Sequence, residues 1–212
     1  MDFNKVLFMM RSGIDPNANI EEILFAKTHS GNDPYIEKWD FRVSMTGSKG
    51  NEMTTSGTGV LQSIYGLGWQ SSSGAGIIPD GLIESNIALN IKVAQMQRTG
   101  YDNICQVLCL KKGTNFNPGL CFHDGRGKWI FVDTNYNYYN STITDPNYFN
   151  ESMLRIEFRN DNSIHIFKDD VEVFVPACAM DITLFDNVSL GCYGSNQAFY
   201  KMIIETLEII RL

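Results

Sequence analysis

The chain has 212 residues, with 24 Asp and Glu against 17 Lys and Arg, for a formal net charge of −7. At 43% hydrophobic and 12% aromatic residues it has the apolar content to bury a core, which excludes a disordered chain. No stretch concentrates enough Lys and Arg to displace counterions from a phosphate backbone, so nucleic acid is excluded as a partner. Only 19% of residues are charged, and the polar remainder is rich in Asn, Ser, Thr and Gly. Such a surface favours turns and neutral hydrogen bonds over salt-bridged helices.

From the N-terminus, the run Val6–Met10 is too short for the apolar core of a signal peptide, and no small-residue cleavage site follows it. No run of eighteen apolar residues exists, so no membrane-spanning helix is expected. Residues 19–26 read as one or two capped helical turns. Strict alternation over Trp39–Met45 predicts a half-buried strand. The Gly/Ser/Thr-rich stretches 46–59 and 66–81 read as long loops, which leaves residues 1–70 less regular than the rest and suited to docking or assembly. A single domain over 1–212 is expected.

After Pro79 period two dominates. Ile87–Val93 and, more loosely, Ile104–Leu110 read as strands. Gly119–His123 and Lys128–Val132 flank Asp124-Gly125-Arg126-Gly127, a hairpin signal. Met153–Phe158 and Ile164–Phe167 flank Asn160-Asp161-Asn162, a second hairpin. Lys168-Asp169-Asp170 then turns the chain into Val171–Val175. Residues 177–181 read as a short helical turn, and Asn187–Gly191 and Met202–Ile210 as the last strands. Ile203–Ile210 carries Ile on both faces, so it is buried or pairs with another subunit. About ten strands with turns every 8–12 residues give an all-β, two-sheet antiparallel sandwich or barrel with short helical turns.

In order, 86–94, 105–113, 118–132, 154–175, 185–195 and 198–212 resemble the strand succession of the concanavalin A-like, laminin-G-like jelly-roll family, over about residues 80–212. The hairpin 154–175, with Asp169-Asp170 where the family often has Asn-Gly or Asp-Gly, is the most recognisable part. The resemblance implies a two-sheet jelly roll. It leaves function open, because lectins, carbohydrate-binding modules, glucanases and structural modules share that fold.

Retaining glycosidases need two carboxylates about 5–5.5 Å apart. The jelly-roll glucanases supply them from an alternating acidic strand, and no such run occurs here. Asp169-Asp170-Val171-Glu172 lies at a turn, and Glu205 and Glu208 fall on opposite faces of a strand. A non-enzyme is therefore expected, with a glycoside hydrolase as the alternative.

The binding expectation rests on 129–149, where seven of 21 residues are aromatic. Tyr136, Tyr138 and Tyr139, interleaved with Asn135 and Asn137, form the candidate glycan site: rings stack on sugar C–H faces and amides bond hydroxyls. Trp129 and Phe131 read as core. Asp133, Asn135, Asn137 and Asp145 loosely resemble the calcium loop of legume lectins, and their hard oxygens suit Ca²⁺. No Glu stands two before Asp133 and no His follows Asp145, so no cofactor is the expectation and Ca²⁺ the alternative. His29, His123 and His165 show no sequence partner.

Cys105, Cys109, Cys121, Cys178 and Cys192 form an odd set without metal-site spacing, expected as buried thiols of a chain folded in a reducing cytosol. The sequons at Asn140, Asn150 and Asn187 read as chance matches. A sandwich without a leader fits a phage virion component (capsid decoration, fibre or tail-associated) assembled in the host cytoplasm. Its expected partners are other virion proteins or itself as an oligomer, with cell-surface glycan as the ligand and no membrane. The alternative is an extracellular, secreted-type carbohydrate-binding or glycan-degrading protein.

Overall fold

The computed structural model describes residues 33–56, 60–63, 66–69, 74–97, 104–111, 118–192 and 201–212. All its elements lie in the unit Tyr35–Leu212, one of two units into which the chain divides at Pro34. The helical turns expected at 19–26 lie outside the described residues. No helix among those residues is long and apolar enough to cross a membrane.

Two long strands form the spine of the larger sheet. β6 (Ile87–Gln97) carries Ile87, Leu89, Ile91 and Val93 inward, and Asn90 and Lys92 on the other face. β16 (Lys201–Arg211) pairs antiparallel with it along its whole length, Leu207 opposite Ile91 and Ile209 opposite Leu89. The register of the pair shifts on either side of Ile204, and Ile203 and Ile210 are only half-buried. Beside β6 lie β12 (Ser152–Phe158), β13 (Ile164–Lys168) and β14 (Val171–Phe174). On the far side of β16 come β1 (Tyr35–Asp40), against Thr206–Ile210, and the hairpin of β3 (Val60–Ser63) and β4 (Gly66–Trp69). β16 is thus a central strand of its own sheet, and Leu207 and Ile209 are buried in the core of their own chain.

The second layer has two halves. β11 (Tyr138–Asn140), β10 (Lys128–Val132), β9 (Gly119–His123) and β7 (Ile104–Gln106) form one; β2 (Thr54–Ser56), β5 (Gly74–Ile77), β15 (Asn187–Cys192) and β8 (Leu108–Lys111) form the other. Val107 interrupts β7 and β8, and its N–H bonds to Leu120 O while its carbonyl accepts from Gly191 N. Leu110 N–H bonds to Pro118 O, so β8 continues alongside β9 and the halves are stitched together. All strand pairs among the described residues are antiparallel.

Between the layers Trp39, Trp129, Phe41, Phe122, Phe131, Phe149 and Phe158 are fully buried in one core. Each such side chain contributes roughly 1.5–3 kcal/mol by leaving water. Trp129 packs edge-on against Phe149 at 4.8 Å and Phe122 at 5.8 Å, and its Nε1–H donates to Asp145 O at 2.9 Å. Turn chemistry follows the sequence: Asp169 (φ 47°) and Asp170 (φ 65°) give the two left-handed residues of a tight hairpin, and Asp169 Oδ1 accepts from Met153 N–H.

Three expectations are corrected. The alternation at Trp39–Met45 is not one strand: β1 ends at Asp40, whose carboxylate binds the backbone N–H and guanidinium of Arg42, and the chain turns so that Val43 is 79% exposed. The Gly-rich stretch 66–81 is not a loop, because it holds β4 and β5; residues 54–56 likewise form β2. Glycine serves close packing there: a Cβ on Gly76 would lie 2.5 Å from Leu67 Cδ2 and 2.9 Å from Met53 Cε. The short helical turn comes later than expected, as a 3₁₀ turn at Ile182–Leu184 capped by Asp181 Oδ1 on Thr183 N–H.

Candidate functional site

The loop joining β10 to β11 is built around one carboxylate. Asp133 follows the buried Val132 and is itself only 8% exposed. Its Oδ1 accepts from the backbone N–H of Asn135 (2.8 Å) and Asn137 (2.9 Å), while Oδ2 accepts from Asn137 Nδ2 (2.9 Å) and Tyr139 Oη (3.0 Å). Asp133 N–H also bonds to Asn137 O, and Tyr136 N–H to Asp133 O. Burial pushes the Asp133 carboxyl up, but the bonds from Asn137, Asn135 and Tyr139 outweigh it and hold the group below the usual carboxylate range. The Tyr139 hydroxyl is pushed above its ordinary value, first by that bond to Asp133.

This frame distributes the three tyrosines differently. Tyr136 sits at the tip with φ 64° and is 51% exposed. Asn135 and Asn137 flank it and are exposed. Tyr138 and Tyr139 alternate on β11. Tyr139 packs on the main core, and Tyr138 on the small buried cluster of Cys121, Ile130 and Val132 on the opposite face. Tyr138 also meets His123 edge-on at 5.7 Å and lies beneath the Arg126 guanidinium at 4.6 Å. The three rings therefore form no common platform, and Tyr136 is the ring the loop presents outward.

The alternative, a cation held by Asp133, Asn135, Asn137 and Asp145, meets carboxylates already in use. Both Asp133 oxygens are taken by the chain's own donors, and Asp145 Oδ1 caps a different turn by accepting from Asn147 N–H at 2.9 Å. Among the described residues no three His, Cys, Asp or Glu side chains gather as a metal ion requires. These residues do not fit Ca²⁺, whose loops aim unoccupied oxygens at one point.

Sequence reasoning passed over two concavities, because their linings come from segments far apart in the chain. A groove of about 370 Å³ lies beside β1 and β16, lined by Lys38, Asp40, Val43, Ser44, Thr46 and Glu208. Its charges are internally matched: Lys38 pairs with Glu208 at 3.7 Å and Asp40 with Arg42 at 2.8 Å. A pocket of about 220 Å³ lies where the chain enters β15, with Asp80, Thr183, Asp186 and Asn187 among its walls. Sequence reasoning also missed Glu37, fully buried and accepting from Lys38 N, Lys49 N, Ser48 Oγ and Asn51 Nδ2. It missed Glu157 too, clasped by Arg155 and Arg159 at 2.7 Å each. His165 has partners the sequence hid, with Nδ1 2.6 Å from Glu172 Oε2 and Nε2 3.1 Å from Ser163 Oγ.

No protein-family model matches the sequence, and no curated protein matches it. Solved structures do. Domain 4 of AbnA, a GH43 extracellular arabinanase from Geobacillus stearothermophilus in complex with arabinotriose, superposes with a TM-score of 0.54 at 16% identity, over 84% of this chain and 92% of that one. Trypanosoma rangeli sialidase gives 0.54 at 11% identity over 76% of this chain, which spans 28% of the sialidase. The receptor binding domain of botulinum neurotoxin D gives 0.52 at 14% identity over 84% of this chain and 49% of that one. Likeness at such identities speaks for architecture alone. The chain is an all-β antiparallel sandwich of the jelly-roll kind.

Proposed function

We propose that this sandwich is a non-catalytic module that binds glycan through the loop 133–139. The observation that carries the proposal is the Asp133 carboxylate, whose four hydrogen bonds fix the loop and hold Tyr136 outward between exposed Asn135 and Asn137. A preformed loop binds without the cost of ordering it, and one ring flanked by amides is suited to the apolar face and hydroxyls of a sugar. The arabinotriose complex of the similar AbnA domain supports the same ligand class.

The non-catalytic part rests on the buried carboxylates among the described residues. A glycosidase acid needs a raised pKa. Burial pushes Glu37, Asp133 and Glu157 up, yet hydrogen bonds, and for Glu157 the charges of Arg155 and Arg159, hold all three below the ordinary range. The virion setting, with self or virion proteins as partners, is drawn from the sequence reading alone; its test is detection of the chain in purified particles. A glycan array with the wild type and Tyr136→Ala tests the binding reading: signal on defined glycans lost in the variant supports it, and a blank array contradicts it.

A further inference from the structure

The loop 133–139 uses most of its hydrogen-bond donors on itself. Among the backbone N–H groups from Asp133 to Asn137, those of Asn135 and Asn137 go to Asp133 Oδ1, that of Tyr136 to Asp133 O and that of Asp133 to Asn137 O. The Asn137 amide nitrogen and the Tyr139 hydroxyl both donate to Asp133 Oδ2. Chemistry sets the orientation of that amide, because an ionised carboxylate only accepts and so meets its NH₂ end. Asn137 is exposed and keeps its carbonyl oxygen for another partner. The loop's own bonds also leave the backbone carbonyls of the exposed Thr134 and Asn135 unused. Thr134 N–H and the Asn135 amide remain as donors, so the tip is weighted towards accepting hydrogen bonds.

The charge of the loop points the same way. Burial pushes the Asp133 carboxyl up, but the loop's bonds hold it below the usual range, so a full negative charge sits under the tip. Tyr136, 51% exposed there, offers the electron-rich face of its ring, which attracts cations. The neighbouring Tyr138 ring already holds one, the Arg126 guanidinium at 4.6 Å.

We infer that this loop selects glycans bearing a free amino group, with the ammonium donating to Asn137 Oδ1 and the adjacent carbonyls beside the Tyr136 ring. An ammonium has three donors and no acceptor, the complement of this tip. Its hydrogen bonds are charge-assisted, about twice as strong as neutral ones. N-acetylation removes that charge and adds an acceptor, and a uronic or sialic acid brings a charge of the same sign as Asp133. The inference rests on the loop being the glycan site and names the sugar class it prefers.

The test is an amide NMR titration of the full chain with three trimers on one backbone: cellotriose and its counterparts built of glucosamine and of N-acetylglucosamine. They differ only at the second carbon of each ring. Spermidine, a polyamine without rings, is the control for charge. The glucosamine trimer should shift the amides of residues 134–137 and bind roughly fivefold more tightly than cellotriose, with the acetylated trimer no tighter than cellotriose. Raising the pH until the sugar amines are neutral should bring the two affinities together. Tyr136→Leu should also remove the preference, and Tyr136→Trp should enlarge it. Equal affinity for the glucosamine and glucose trimers, or tighter binding of the acetylated one, overturns the preference and leaves the loop standing as a glycan site. Spermidine shifts at 134–137 that match those of the glucosamine trimer overturn it in favour of a bare polycation. Silence of 134–137 with every glycan contradicts the preference and the loop reading together.

Discussion

The Tyr139 hydroxyl donates to Asp133 Oδ2 across 3.0 Å, so a residue packed on the main core anchors the carboxylate that shapes the exposed loop. Tyr139→Phe removes one bond, keeps the ring and leaves the other three donors to Asp133 in place, so it should destabilise the fold least. Asp133→Ala strands several donors at once and costs about 2–4 kcal/mol. Urea denaturation should rank the variants in that order. Asp133→Ala should also abolish glycan binding at a temperature where it is fully folded.

Acid should destabilise the fold through the same class of group. Glu37, Asp133 and Glu157 are all held below the ordinary carboxylate range, as burial is outweighed by hydrogen bonds and, at Glu157, by two guanidinium groups. A folded pKa below the unfolded one gives stability that is full above the unfolded value, about 4, and is lost as pH falls through the folded value. The urea midpoint should therefore be flat near neutrality and drop below about pH 4. Glu37→Gln should lower the midpoint at pH 7 and flatten the drop; an unchanged profile would remove Glu37 as a contributor.

Two glycines with left-handed backbones should differ in tolerance. A Cβ on Gly119 (φ 145°) would overlap the carbonyl of Leu108, whereas one on Gly127 (φ 60°) meets nothing within 4 Å. Gly127→Ala should cost about 1 kcal/mol, the strain of the left-handed region alone. Gly119→Ala should cost about 3 kcal/mol or more, since backbone must move. Thermal melts would read this as a drop of about 2–4 °C against one of about 6–12 °C.

Four of the thiols, Cys105, Cys109, Cys121 and Cys178, should be inert in the native state. Cys105, Cys109 and Cys121 are buried, and burial followed by the Asp133 charge pushes the half-buried Cys178 up to about 11. Alkylation at pH 8 followed by peptide mapping should find these four slow in native protein and fast in guanidinium. Rapid native labelling of Cys178 would contradict its placement beside Asp133.

The sequence made the core strands legible wherever the period was strict and the turn residues were unambiguous. Ile87–Val93, Met153–Phe158 and Ile164–Phe167 lie where alternation puts them, and Asp169-Asp170 makes the turn its residue types require. The strands at Gly66–Trp69 and Gly74–Ile77 were hidden because glycine reads as a loop former in one dimension. Its use here, letting Leu67 and Met53 close on Gly76, exists only once the sheets are stacked. At Asp40 the pattern misled, because a local Asp–Arg turn outweighed an alternation that continued past it. The aromatic and Asn-rich loop was visible as composition, but the division of labour among Tyr136, Tyr138 and Tyr139 depends on which face of β11 each occupies. Pocket residues as distant as Asp80 and Asn187 left no sequence signal at all.

Isothermal titration of the folded chain with glycans selected on an array, beside Tyr136→Ala, measures whether the loop 133–139 holds the glycan. Tyr136 is 51% exposed at the loop tip, so the variant should match the wild-type melt within about 0.5 kcal/mol. Its affinity should fall at least tenfold, about 1.4 kcal/mol. Equal affinity in the two proteins, with both fully folded, would contradict the loop 133–139 as the glycan site.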